Sequence, residues 1–417
     1  MSSDTKPHNL DINAAYEALQ SVALKTPLQY HARLSEKFGA EIYLKREDLQ
    51  VVRSYKIRGA YNMIQSLTEE QRKRGVVCAS AGNHAQGVAF ACKRLNIRGV
   101  VYMPSVASKQ KINQVKMFGG NNIEIVLIGD TFDECQAHAR EYTEKNNMVF
   151  VPAFDHLKVI EGQGTVGKEI LDELSNIDYI FVPIGGGGLC AGVGQYFKTY
   201  SPQTKMVGVE PTGAPSMTEA LKAGHPVLLE KMDRFVDGAA VKKVGAIAFD
   251  LSKDVLTDVL LVPEGRACSI ILQLYNEDAI VVEPAGALSI GALDQYADKL
   301  KGKKAVCLIS GGNNDIDRMQ EIKERSLLYE GLKQYFLVSF VQRPGALKEF
   351  VNNILGPTDN IVRFEFVQKT NKETGPALIG IEVKTKEDFN NLIQKMSDHN
   401  ISYKLINTDE ALFEYIL

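Results

Sequence analysis

Three short segments hold residues with more chemical capacity than a scaffold needs. In KREDLQVVRSYKIRGA, residues 45–60, Lys56 stands between Tyr55 and Ile57 where a helical pattern begins. Alone it reads as a solvated surface charge. In ASAGNHAQGVAFACKRL, residues 79–95, Ser80, Ala81, Gly82 and Asn83 lead from the strand-like VVCA into an amphipathic helix. Such a turn presents backbone N–H groups and a helix N-terminus to a carboxylate or phosphate, and alone it is also a good helix cap. In YIFVPIGGGGLCAGVGQYF, residues 179–197, Gly185, Gly186, Gly187 and Gly188 separate an apolar strand from a helix. Consecutive glycines cost backbone entropy, which is justified where main-chain N–H groups must wrap an anion closely. This is not a P-loop, because Leu189 and Cys190 stand where Lys and Ser/Thr would be required. A dinucleotide site competes: Gly186, Gly188 and Ala191 fit G-x-G-x-x-A, and Glu210 closes the next strand about 20 residues later. On this segment the two readings stand even. The dinucleotide reading gives Lys56 and the Ser80 turn no role, whereas a phosphate-bearing cofactor held covalently by lysine uses all three segments.

These segments must be placed by the elements around them. Apolar β-branched runs recur at 41–44, 76–79, 99–103, 123–128, 179–184, 206–210 and 305–310, with helical spacing between them. Several lack polar alternation, as strands buried on both faces should. Strand, helix and strand repeated this way predict an α/β architecture with parallel sheets, in two lobes flanking a cleft. After a charged helical stretch at 315–332 the pattern becomes YFLVSFV, helical LKEFVNNIL, IVRFEFVQ, a polar turn TNKETGPA, LIGIEV, helical KEDFNNLIQKM and YKLI. That β-α-β-β-α-β order predicts a separate ferredoxin-like module. The expected division is a catalytic domain over 1–325 with a smaller lobe at about 52–155, a linker at 326–334 and a terminal domain over 335–417.

Taken together, these motifs resemble the fold type II pyridoxal-phosphate enzymes, in the threonine/serine dehydratase group, over nearly the whole chain. S-Y-K-I-R-G-A at 54–60 resembles the attachment motif, with Lys56 joined to the cofactor as an imine. S-A-G-N-H, comprising Ser80, Ala81, Gly82, Asn83 and His84, resembles the loop that receives the substrate carboxylate, with Asn83 at the cofactor ring oxygen. Gly185, Gly186, Gly187, Gly188 and Leu189 resemble the phosphate cup, and S-G-G-N at 310–313 places Ser310 beside the pyridine nitrogen. The resemblance implies a tryptophan-synthase-β-like fold, pyridoxal 5'-phosphate as cofactor and β-elimination, with Lys56 freed to take the α-proton. The cofactor phosphate is then the implied proton donor to the leaving hydroxyl. Serine racemases of this group carry a second serine where Ala81 stands, so dehydration is implied over racemisation. Their divalent-cation site would map to Glu210, Ala214 and Ser216, and Ser216 is no acidic ligand, so no metal is expected. Glu283, in V-V-E-P-A-G-A, resembles a residue near the cofactor ring and equally suits a helix cap. The tail, with R-P-G-A-L at 343–347, resembles the ACT-like regulatory domain of biosynthetic threonine dehydratases, in a single copy. That implies the committed step of isoleucine synthesis, L-threonine to 2-oxobutanoate and ammonia, with weaker turnover of L-serine. It further implies isoleucine as inhibitor, valine as its opponent, and a homotetramer.

Composition sets the outer bounds. The 417 residues hold 48 basic and 51 acidic side chains, a net charge of −3, which offers no positive field for nucleic acid or anionic lipid. Apolar residues at 45% and charged residues at 24% leave no room for a largely disordered chain. The first residues carry no basic flank before an apolar core, and no apolar run approaches a membrane span. Cys78, Cys92, Cys135, Cys190, Cys268 and Cys307 include no C-x-x-C pair. They are read as reduced and mostly buried, without structural zinc, in a cytoplasmic protein.

Overall fold

In the computed structural model, which describes residues 9–369 and 372–407, the unalternating apolar runs are strands covered on both faces. Four parallel strands form a small sheet in the order Ile123–Leu127, Gly99–Met103, Val76–Ala79, Val149–Phe150. Because successive side chains point to opposite faces, Val76, Cys78, Val101 and Met103 enter one core and Val77, Ala79, Val100 and Tyr102 another. A larger sheet has the order Leu28–Tyr30, Glu41–Arg46, Lys304–Ile309, Tyr179–Pro183, Lys205–Pro211, Leu256–Val262, parallel except for its first pair. All the apolar runs named above form strands. Leu28–Tyr30 and Val149–Phe150 are too short to stand out in the sequence, and the edge strand Leu256–Val262 is interrupted by Thr257 and Asp258. All six cysteines are buried, and none is in a disulfide.

Both sheets are wound outward from an inner strand and then back to its other side. Val76–Ala79 is followed outward by two strands before Val149–Phe150 returns beside it; Tyr179–Pro183 is followed likewise before Lys304–Ile309 returns. The crevice at the carboxyl end of such a reversal is where α/β sheets take ligands. Ser80 to Asn83 leave the first reversal; Gly185 to Gly188 and Ser310 to Asn313 leave the second. The sheet order therefore brings segments more than 200 residues apart to carboxyl-end crevices without any special contact.

The helix Lys56–Gln65 packs between the helices Asn83–Leu95 and Leu157–Glu173. Its neighbours approach the backbone itself: a Cβ at Gly87 would stand 2.9 Å from the Lys56 carbonyl oxygen, and one at Gly162 2.5 Å from that of Arg58. Below them lies a buried ionic network. Arg58 donates to Glu47 through Nε (2.9 Å) and Nη2 (2.8 Å), and to Glu169 through Nη1 (2.6 Å) and Nη2 (2.9 Å). Lys45 donates to Glu169 (2.6 Å) and to the Thr26 carbonyl (2.7 Å), while the Thr26 hydroxyl reaches Glu47 (2.6 Å). All four charged side chains are inaccessible to within 2%. Burial pushes the Glu47 carboxyl up, but the adjoining Arg58 guanidinium outweighs it and holds the group below the usual carboxylate range.

The chain divides into two compact units after Ile316. In the second, the strands Asn360–Phe366, Thr374–Glu382, Lys333–Val341 and Tyr403–Leu405 form an antiparallel sheet in that order, with helices Ala346–Asn353 and Lys386–Asp398. Phe336, Val338, Phe340, Ile379 and Ile381 meet Phe350, Leu392 and Met396 in its core. This is the ferredoxin-like arrangement. Residues 326–334 hold the end of the helix Met319–Tyr329 and the start of the first strand, and the third strand begins at Thr374, inside TNKETGPA. Residues 408–417 of the expected terminal domain lie outside the described residues.

Arg58→Ala leaves Glu47 and Glu169 buried without their main counter-charge, so it should lower the unfolding free energy by about 3–5 kcal/mol. Urea unfolding of the two proteins measures this. A loss below about 1 kcal/mol would show that the network does not anchor the helix.

Candidate active site

The loops that leave the two chain reversals line one cavity of about 780 Å³ within the first unit. Its wall includes Lys56, Ser80 to His84, Gly185 to Leu189, Glu283, Ser310 and Asn313. Every segment singled out for its chemistry thus faces the same space.

Lys56 is the first residue of its helix and half-buried. Its Nζ donates to the Ala153 carbonyl (2.8 Å) and lies 5.3 Å from the centre of the Tyr55 ring. Burial pulls the amine down to about 8, with the Glu283 carboxylate partly opposing. At pH 7 about a tenth of such amines are neutral, against roughly 0.03% at the ordinary lysine value. That is the state in which lysine attacks a carbonyl or accepts a proton.

Asn83 opens the helix Asn83–Leu95, so the first N–H groups of that helix have no intrahelical partner and form its positive end. The Ser80 hydroxyl accepts from the Gly82 N–H (3.2 Å), shaping the turn. Ala81 and Gly82 complete the cavity wall. The Asn83 Nδ2 donates to Glu283 Oε1 (2.7 Å), and its Oδ1 accepts from Asn313 Nδ2 (2.7 Å). His84 is buried, with Nε2 against the Val151 carbonyl (2.9 Å), and burial with the nearby Lys56 charge drives its ring down to about 3. Its imidazole is neutral and anchored, which leaves its backbone N–H as the group suited to an anion.

The glycine loop is shaped for close approach. A Cβ at Gly186 would stand 2.2 Å from the Phe154 ring, and Gly187 sits at φ +91°, which favours glycine. Gly188 begins the helix Gly188–Tyr200, and Leu189 directs its side chain into the large-sheet core, so the loop offers main-chain groups at a helix N-terminus. This donor set suits a phosphate. Ser310, at the end of Lys304–Ile309, is buried beside the cavity, and its carbonyl accepts from the Tyr55 N–H (3.2 Å). A lysine with a lowered amine, an anion cup and a buried hydroxyl around one cavity fit pyridoxal phosphate.

Glu210 is used elsewhere. Its carboxylate accepts from the Met217 N–H (2.6 Å), the Thr218 N–H (2.9 Å) and the Thr218 hydroxyl (2.7 Å) at the start of the helix Ser216–Ala223. It is committed to that helix end, which removes the acidic partner that the dinucleotide reading requires. Ser216 also turns its hydroxyl toward Glu210 (3.4 Å). Among the described residues no three His, Cys, Asp or Glu side chains gather as a metal site, and no helix is long and apolar enough to cross a membrane.

Two features have no local sequence signal. Asn313 joins Asn83, from which it is 230 residues distant. Lys111 pairs with Asp237 (2.5 Å) and Lys242 with Asp133 (2.8 Å), tying the helices of the small sheet to the loop before Gly245. Only the folded chain shows these pairings.

Residues 19–311 match the family model described as pyridoxal-phosphate dependent enzyme, and residues 324–416 match the C-terminal regulatory domain of threonine dehydratase. The L-threonine dehydratase biosynthetic IlvA of Halalkalibacterium halodurans is 54% identical over 408 residues, 98% of each chain. That of Bacillus subtilis is 54% identical over 404 residues, 97% of this chain and 96% of its own. Among solved structures, the processed form of threonine deaminase isoform 2 from Solanum lycopersicum superimposes with a TM-score of 0.72 at 41% identity, covering 76% of this chain and 92% of that one. Maize serine racemase gives 0.70 at 28% identity, covering 77% and 98%.

The lowered Lys56 amine has a direct consequence in the cofactor-free protein. Competitive labelling with an acylating reagent should show Lys56 reacting with a pH midpoint near 8, two or more units below the surface lysines. A midpoint above 10 would mean that burial does not activate it.

Proposed function

The chain belongs to the pyridoxal-phosphate-dependent enzymes, within the biosynthetic threonine dehydratases, and from that membership we propose that it converts L-threonine to 2-oxobutanoate and ammonia. The observation that carries this reading is the convergence of the strand-end loops on Lys56, whose amine is held near 8.

When bound, the cofactor supplies an electron sink for the pair left on the substrate α-carbon. The chain supplies the rest. Lys56 would hold the cofactor and, as a free amine, would take the substrate α-proton. The N–H groups at the start of Asn83–Leu95, from Asn83 and His84 behind the turn of Ser80, Ala81 and Gly82, bind the substrate carboxylate. Gly185, Gly186, Gly187, Gly188 and Leu189 would hold the phosphate through main-chain N–H groups. Ser310 would offer a hydroxyl to the ring nitrogen, which does not enforce a full positive charge there, and Asn83 would donate to the ring oxygen. Loss of the α-proton and the β-hydroxyl removes one water; hydrolysis of the resulting enamine returns it and releases ammonia. Ala81 offers no hydroxyl to reprotonate the α-carbon from the opposite face, which favours elimination over racemisation. A pocket distinguishes one methyl group by only about 1–3 kcal/mol, so slower turnover of L-serine follows.

The second unit supports a regulatory assignment: its fold is the ferredoxin-like arrangement, and the family model over 324–416 describes a regulatory domain. In this proposal the catalytic domain ends near residue 325 and the domain from 335 onward binds isoleucine, which inhibits, with valine opposing it. The reaction is then the committed step of isoleucine synthesis, in a cytoplasmic homotetramer. Inhibition requires isoleucine to bind two states of the assembly with different affinity.

The test is the initial rate of 2-oxo acid formation from L-threonine by the cofactor-loaded chain, with and without isoleucine. Suppression by isoleucine, relieved by valine, is the expected outcome. Turnover without suppression would retain the enzyme and discard the effector, and a cofactor-loaded chain without turnover would overturn the substrate.

A further inference from the structure

Glu283 precedes the helix Pro284–Gly291 at its cap position, yet its side chain makes no capping hydrogen bond. Instead the carboxyl is buried at the cavity wall, 4% exposed, and accepts from Asn83 Nδ2 at 2.7 Å. The backbone makes room for it: a Cβ at Gly311 would stand 2.6 Å from Glu283 Oε1, and one at Gly238 3.3 Å. Asn83 Oδ1 is in turn held by Asn313 Nδ2 (2.7 Å), which also reaches the Val52 carbonyl (2.9 Å). Glu283, Asn83 and Asn313, from three separate segments, form a chain of hydrogen bonds centred on the Asn83 amide.

This chain settles the Asn83 amide. Its oxygen has a donor and one of its two N–H groups has an acceptor, so the second N–H remains to serve a ligand. Without the Glu283 acceptor the amide could turn over and present its oxygen. Resting on the cofactor assignment made above, we propose that Glu283 is a positioning residue: its carboxylate locks Asn83 with an N–H toward the cofactor ring oxygen, and taking up a proton weakens that lock.

The surroundings place this event in the working pH range. Burial and the Asp237 carboxylate raise the Glu283 carboxyl, while the Asn83 N–H, the Lys111 charge and the Asn313 N–H lower it, leaving it at about 7. The remaining ionisable groups that sense it are Lys56 and Tyr55, at the start of the lysine helix. Above pH 7 the bond from Asn83 is charge-assisted; below it the acceptor is neutral and the bond is weaker.

The experiment uses the full chain loaded with pyridoxal phosphate, with its visible absorption followed from pH 5.5 to 9 and cofactor affinity measured by equilibrium dialysis. The wild type should show a spectral transition with a midpoint near 7. Glu283→Gln retains a carbonyl acceptor for Asn83, so cofactor affinity should stay within about threefold while the transition disappears. Glu283→Ala removes the acceptor and should weaken cofactor binding by about tenfold or more. A transition unchanged in Glu283→Gln, or no transition in the wild type, would overturn the inference while leaving the cofactor assignment standing. A wild-type chain that binds no pyridoxal phosphate would overturn the assignment and the inference with it. Since Glu283→Gln changes one atom's chemistry and little volume, the test stands even where the alanine variant fails to fold.

Discussion

A guanidinium with no access to water holds the reactive lysine in place. Arg58 lies two residues after Lys56 on one short helix and spans Glu47 and Glu169, while Lys45 binds Glu169 from an inner strand of the large sheet. Taking four charges out of water is expensive, and hydrophobic replacements are often as stable. What the network supplies is direction. Its forked, short hydrogen bonds tolerate little rotation of the helix, and the close approaches at Gly87 and Gly162 remove room for translation. The amine of Lys56 is therefore delivered to one point in the cavity.

The same burial that fixes the lysine also activates it. Half-buried in the cavity wall, the ammonium loses solvation and its amine falls to about 8, while Glu283, against the same wall, is driven up to about 7. Desolvation moves an acid and a base toward each other, so both change charge within the range where a catalytic group must exchange protons. Helix N-termini and glycine-loop N–H groups add fixed positive ends without titratable groups of their own, which suits a site for two anions, a phosphate and a carboxylate.

Much of this could be read along the chain because each key segment lies at the end of a strand or the start of a helix. Lys56, Asn83, the glycines from 185 and Ser310 carry their meaning in immediate neighbours, and the sheet order then needs only the outward-and-back winding to gather them. What local sequence could not show is pairing over distance. That Glu283 serves Asn83 rather than its own helix depends on a contact across 200 residues. That His84 turns its ring to Val151, and that Glu210 caps the helix from Ser216, follow from burial, which the motif spacing does not encode. The strand Leu256–Val262 escaped for a related reason: at a sheet edge its side chains need not be uniformly apolar.

Lys56 is the cavity lysine whose helix is anchored by the buried Arg58 network, which supports the proposal that it, and not another lysine of the wall, takes the cofactor. Borohydride reduction of the protein loaded with pyridoxal phosphate, followed by peptide mass mapping, tests this most directly. The reduced phosphopyridoxyl group is expected on the peptide carrying Lys56. Its appearance on Lys111, Lys242 or Lys243, which line the same cavity, would contradict it.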